Sequence, residues 1–245
     1  MIFAPFGNRD NFFPTIIQSG LTIYVAAYDT NSYPYSGTTW DDLQNNFDGT
    51  LTNSPTFNSD NPRNFSFDGV NDFVTFGDSS SGSTTSDYTW GGWVYLTNTG
   101  DTDSIMGRSL DNTAGNNGWS LTSFVLSNKA SAAVISRTGA SPFTQKTVSG
   151  TTTIQANTWY YIVAVWDSGN SIKIFVNGEE EGSTTDSDTT LRNTADVGFR
   201  GWFISRGTEE VDYFPQRVSM FHLYSRALSA TEIRNNYNST RFYFD

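Results

Sequence analysis

The chain of 245 residues is 36% hydrophobic and 16% aromatic but only 16% charged. That is too little charge for a coiled coil, and 7 Trp, 12 Tyr and 19 Phe give too much burial for disorder. A net charge of -11 argues against nucleic-acid binding, 0 Cys excludes disulfides and thiolate chemistry, and no run of about 18 apolar residues predicts a membrane insertion.

Residues 1–20 form the first unit, an N-terminal arm. Phe3, Phe6, Phe12 and Phe13, with Ile2, Ile16 and Ile17, are interrupted by Pro5, Gly7 and Pro14, which prevent a regular element. Such an arm either wraps its own domain or anchors on a partner protein through Phe3, Phe6, Phe12 and Phe13. The first residues lack a basic region and an apolar run, so no secretion signal is expected.

From Leu21 onwards, short β-rich runs alternate with Gly, Asn, Asp and Ser turns. The expected strands are Leu21–Ala27, Arg63–Phe67, Phe73–Phe76, Tyr88–Leu96, Asp103–Arg108, Trp119–Leu126, Ala130–Arg137, Thr158–Trp166, Ser171–Val176, Ala195–Gly201 and Gln216–Tyr224. Asp41–Asn46 is read as a turn of helix. In Trp90–Leu96 both faces carry large side chains, so that strand should be buried on both sides. Asn177-Gly178 supplies the two positive-φ positions of a type I′ turn. Ser79–Ser86 and Gly182–Thr190 read as polar loops. Ser229-Ala-Thr-Glu232 is a capping box that opens a short helix, with Ile233 and Tyr237 on one face. The pattern predicts one all-β domain over 21–245, an antiparallel two-sheet sandwich with one C-terminal helix and with Trp93, Trp159 and Trp166 as core candidates.

The chemistry is sparse. His222, the only histidine, lies in a strand among aromatics and reads as structural. There is no Gly-x-Ser-x-Gly elbow and no phosphate-binding loop. Glu179–Glu181 follows a turn, and Glu209, Glu210 and Asp212 lie beside Gly207, so both groups read as loops. A Ca²⁺ site would use Asp68, Asn71 and Asp72 around Gly69, or Asp101 with Asp103, because calcium takes hard oxygens; the same turn also forms without a metal. A sugar platform would use exposed aromatic rings with polar neighbours: Trp119, Trp202 and Tyr213 with Arg200, and also Tyr33 and Tyr35.

Four stretches in order resemble the laminin-G-like, or concanavalin A-like, lectin/glucanase superfamily. They are Phe65-Ser-Phe-Asp-Gly-Val-Asn-Asp-Phe-Val-Thr-Phe, Tyr88-Thr-Trp-Gly-Gly-Trp-Val, the hairpin from Asn157 through Trp159 and Trp166 to Asn177-Gly178, and Val218 to Ile233 with its Tyr-Ser-Arg-Ala-Leu-Ser-Ala-Thr-Glu-Ile ending. The lead-in Trp40-Asp-Asp-Leu and Gly49-Thr-Leu-Thr-Asn resembles bacteriophage-encoded members. The resemblance implies a jelly roll. The Glu-x-Asp-x-x-Glu spacing of the glucanase members does not occur here. The expectation is therefore a non-enzymatic virion surface protein of a bacteriophage, of the capsid-decoration kind, with a lectin-like module. Its partners would be other virion proteins and cell-surface glycans, and a homo-oligomer is compatible with the chain. The alternatives are a tail-fibre or receptor-binding tip, and a free lectin or glycoside hydrolase.

Overall fold

The computed structural model describes residues 15–77, 85–99, 104–110, 119–139, 142–192, 199–206 and 213–244, without the side chains of Trp119 and Arg200 among a few others. In chain order the strands are β1 (Leu21–Ala26), β2 (Thr39–Trp40), β3 (Gly49–Thr52), β4 (Thr56–Asn58), β5 (Asn64–Phe67), β6 (Phe73–Phe76), β7 (Tyr88–Leu96), β8 (Ser104–Leu110) and β9 (Trp119–Leu126). They continue as β10 (Lys129–Arg137), β11 (Thr144–Thr153), β12 (Thr158–Asp167), β13 (Ser171–Val176), β14 (Glu179–Thr185), β15 (Thr190–Leu191), β16 (Phe199–Ile204) and β17 (Gln216–Tyr224). Helix α1 (Ala230–Thr240) and a 3-10 turn, Arg241–Tyr243, follow.

The strands form two antiparallel sheets. An eight-stranded sheet runs β14-β13-β12-β7-β17-β5-β4, with β1 also on β17. A nine-stranded sheet runs β11-β10-β9-β8-β16-β6-β3-β2, with β15 also on β10. Period-2 alternation sends one set of side chains inward from each sheet. Trp40, Trp90, Trp166, Trp202, Phe65, Phe76 and Phe221 are buried between them.

The second face of β7 is buried as well, as its sequence predicts. Trp93, on the outer face of the eight-stranded sheet, lies in a separate apolar layer with Tyr161, Val163, Phe175, Met220 and Tyr224 from neighbouring strands. Ile233 of α1, Ile16 and Tyr28 complete that layer from above. The close approach of β7 and β17 requires a glycine at 92, because a Cβ there would lie 1.8 Å from the Met220 carbonyl oxygen.

The capping box forms as read. Ser229 Oγ accepts from the Glu232 amide at 3.3 Å, and the Glu232 carboxylate accepts from the Ser229 amide at 2.9 Å. Arg226 clamps the same carboxylate at 2.6 Å, and chiefly for that reason the Glu232 carboxyl is lowered from 4.5 to about 2. A depressed acid contributes its stability above its ordinary value and loses it as the pH falls from 4.5 towards 2. Ser229→Ala is expected to cost about 1 kcal/mol, read as a lower melting temperature.

Several expectations are corrected. Asp41–Asn46 is not a helical turn; it winds around Asp42, whose carboxylate takes the local amides instead. Glu179–Glu181 and most of Gly182–Thr190 are not loop. Asn177 and Gly178, at φ 50° and 83°, fold the chain straight back, so 179–185 pairs with β13 despite its polar composition. Thr144–Thr153 is likewise an unpredicted strand, held by main-chain pairing to β10. Its edge meets β14, where Glu181 Oε2 accepts from the amides of Thr151 and Thr152 at 2.9 Å each.

Of the N-terminal arm, residues 15–20 lie on the domain itself. Ile16 is buried, the Ile17 amide donates to Asn236 Oδ1 at 2.8 Å, and Tyr224 Oη donates to the Ile17 carbonyl at 2.9 Å. Phe3, Phe6, Phe12 and Phe13 lie outside the described residues.

Candidate functional site

Strand register builds a row of side chains across the outer face of the eight-stranded sheet. Trp159 of β12 lies opposite Tyr95 of β7, Tyr95 opposite Arg217 of β17, Arg217 opposite Ser66 of β5, and Ser66 opposite Thr56 of β4. Their chain neighbours Tyr160, Val94, Val218, Phe65 and Phe67 point the other way, into the inter-sheet core. Four interstrand steps of about 4.8 Å give the row a length of about 19 Å.

The rings of Tyr95 and Trp159 lie 5.4 Å apart, tilted by 57°. The Arg217 guanidinium sits 4.9 Å from the Tyr95 ring centre, a cation–π contact. Trp159 is half-buried, and one flank meets Phe244 at 5.1 Å. Phe244 in turn stacks on Trp93 at 4.0 Å and 12°, so the buried outer layer supports the row from below. Arg217 is half-buried, and among the described residues its buried Nε meets no acceptor. Trp and Tyr faces with a free guanidinium can stack on the apolar face of a sugar and hydrogen-bond its polar groups.

At the edge of the same sheet a second aromatic group surrounds Tyr35. Tyr35 is 43% exposed and stacks on Phe57 at 5.3 Å, with the Arg63 guanidinium 5.0 Å from its ring. Its φ of 65° is costly for a bulky residue and presents the ring outward.

The residues singled out from sequence are dispersed. Trp202, expected as an exposed platform, is buried; pairing of β16 with β6 and β8 sets it opposite Phe76 and Arg108, facing Tyr88 and Trp90 inside the sandwich. Tyr33 is buried against Phe57 and Phe65. Tyr213 is half-buried and stacks on Phe73 of the other sheet at 5.9 Å, so it does not join the row. The side chains of Trp119 and Arg200, together with Glu209, Glu210, Asp212, Asp101 and Asp103, lie outside the described residues. Trp159, expected in the core, packs half-buried on the outer apolar layer and not between the sheets. Its strand is apolar on both faces, so alternation alone could not mark its place.

The Asp68 turn is held by its own hydrogen bonds. Asp68 Oδ1 accepts from the amides of Val70, Asn71 and Asp72 at 2.8, 3.2 and 3.3 Å, and chiefly the Val70 bond lowers its carboxyl. Asp72 is buried with Oδ2 turned to the Asp68 amide, and the Asn71 carbonyl accepts from Asn53. Burial, then the Asp68 charge, raises the Asp72 carboxyl. Among the described residues no three acidic or histidine side chains gather around a point.

His222 is fully buried. Its Nε2 meets Tyr161 Oη at 2.6 Å, and burial lowers its pKa from 6.5 to about 3, so the ring stays neutral at ordinary pH. The acids near the β13–β14 turn are committed too: Glu179 to Arg234, Glu180 to Lys173, and Glu181 to the β11 amides.

A family model described as the concanavalin A-like lectin/glucanases superfamily matches residues 67–234. No curated protein matches the chain in sequence. Among solved structures, Trypanosoma rangeli sialidase is similar at 17% identity and TM-score 0.63, over 93% of this chain and 34% of that one. The binding domain of botulinum neurotoxin serotype C1 is similar at 12% identity and TM-score 0.60, over 90% and 52%. The binding domain of botulinum neurotoxin DC, solved in complex with SialylT, gives 12% identity and TM-score 0.62, over 90% and 51%. The chain thus spans a third to a half of these proteins, and the likeness is one of fold.

Proposed function

From a chain that belongs to the concanavalin A-like lectin/glucanases superfamily, we propose a non-enzymatic glycan-binding module carried on the surface of a bacteriophage particle. The observation that carries the glycan reading is the half-buried row Trp159–Tyr95–Arg217 across the outer sheet face. A preformed platform orders few side chains when ligand arrives. The non-enzymatic reading is supported by the commitments of Asp68, Glu179, Glu180, Glu181 and Glu232 to partners within the protein, since glycoside hydrolysis commonly needs two carboxylates free to act on one bond. The particle context is supported by the lead-in Trp40-Asp-Asp-Leu and Gly49-Thr-Leu-Thr-Asn, and capsid decoration is the place we assign it.

Trp159→Ala is expected to weaken glycan binding by at least about tenfold, roughly 1.4 kcal/mol, on an array of bacterial surface glycans. No sugar should be released by the parent protein. Binding by the variant equal to the parent, or no binding by the parent at all, would sink the reading. Antibody labelling of purified particles tests the location: label on the shell supports it, and unlabelled particles refute it.

A further inference from the structure

We propose that the outer-face row selects glycans that carry a carboxylate, with Arg217 as the residue that reads the acid. This rests on the reading of the row as the sugar platform. The chain carries 25 acidic residues against 14 basic ones, so an arginine that holds no carboxylate of its own is open to one on a ligand. Arg226 pairs with Glu232 and Arg234 with Glu179. Among the described residues Arg217, like Arg63, Arg137 and Arg241, rests on an aromatic ring, here Tyr95, and its buried Nε meets no acceptor; of these it is the one in the row with Trp159 and Tyr95.

The arrangement favours an anion in a particular geometry. Stacking on Tyr95 holds the guanidinium on the outer face of the sheet. A guanidinium presents paired N–H donors that match the two oxygens of a carboxylate. Trp159 and Arg217 are separated by two strand spacings, about 10 Å. One sugar ring can therefore lie on Trp159 while the carboxylate of a neighbouring residue meets Arg217. Ser66 and Thr56 continue the row with small polar side chains, which leaves room for further residues of the same oligosaccharide.

The test is calorimetric titration of the full chain with two pairs of probes, sialyllactose against lactose and trigalacturonate against galactotriose, with lactose sulfate as a fifth probe. The acidic member of at least one pair should bind about tenfold tighter than its neutral partner or more, and the preference should shrink as salt is raised. Arg217→Met should lose the acid preference, weakening acidic probes by much more than their neutral partners, and Arg217→Lys should restore the preference only in part, because a point charge replaces the fork. Trp159→Ala should weaken acid and neutral probes together. Melting curves of the variants that match the parent exclude unfolding as the cause.

Equal binding of acid and neutral probes, or a preference that survives in Arg217→Met, overturns the assignment to Arg217 and leaves the platform standing. Lactose sulfate binding as tightly as the acids overturns the carboxylate class in favour of anions in general. A parent that binds none of the five probes overturns the platform and this inference together.

Discussion

Truncating Trp93 to alanine is expected to lower the unfolding free energy by about 3–5 kcal/mol, as deletion of a buried aromatic side chain does. The indole is buried on the face of the eight-stranded sheet turned away from the main core. Phe244 stacks on it at 4.0 Å, Tyr161 and Tyr237 flank it at 5.5 and 5.7 Å, and its Nε1 donates to Thr240 Oγ1 at 2.8 Å. No single neighbour can collapse into the space, because these rings come from the sheet, the helix and the segment beyond it. In a domain of this size each kcal/mol moves the melting temperature by about 2–4 °C, so a fall of roughly 6–20 °C should be seen. Because Phe244 touches both Trp93 and Trp159, the same variant should weaken glycan binding without touching the ligand. Denaturant unfolding that shows a loss below about 1 kcal/mol would mean that the outer layer is not packed on the sheet as described.

Asp42 carries the second large effect. Its side chain is buried, yet it makes four hydrogen bonds to backbone amides. Oδ1 accepts from Tyr24 at 2.7 Å and Gln44 at 3.1 Å, and Oδ2 accepts from Asn46 at 3.0 Å and Phe47 at 3.1 Å. The bond to Tyr24 ties this turn to β1. Removing the carboxylate leaves amides that water reaches poorly, at about 1–3 kcal/mol for each buried group left unmet. Asp42→Ala is therefore expected to cost at least about 3 kcal/mol. Asp42→Asn should fall between the two: its oxygen still serves Tyr24 and Gln44, but its NH₂ faces the amides of Asn46 and Phe47, donor against donor. Urea midpoints should rank the parent above the asparagine variant and that above alanine. An asparagine variant as stable as the parent would show that the second carboxylate oxygen is dispensable.

Much of the sandwich was legible from alternation and punctuation. Tyr88–Leu96, Phe73–Phe76 and Ser171–Val176 are strands with the expected bounds, Asn177-Gly178 turns with positive φ at both residues, and Ser229 with Glu232 opens the helix. These signals act within a few residues. Where local signal was absent or misleading, the expectation failed. The turn around Asp42 looked helical because its hydrogen bonds converge on one side chain and not on an i−4 ladder. Glu179–Thr185 looked like a loop and Thr144–Thr153 carried no strand signal because their composition is polar, whereas the neighbouring backbone supplies the pairing.

The site shows the same division most sharply. A period of two determines, from sequence alone, that Trp93 shares a face with Tyr95, Tyr161 with Trp159, and that Arg217 points opposite to Val218. It does not determine which part of that face stays open. That was decided by contacts between distant parts of the chain: Asn236 of the helix bonds to the Ile17 amide across 219 residues, and Phe244 seats on Trp93. The cover closes over Trp93 and Tyr161, and Phe244 reaches one flank of Trp159, which stays half-buried. Trp202, whose neighbouring glycine suggested a loop, was taken inward by pairing with β6 and β8, also remote in sequence. Sequence thus determined the faces, because side-chain alternation is a local property of an extended backbone. Tertiary structure alone decided which aromatic ring meets solvent, because exposure depends on what the rest of the chain lays over it.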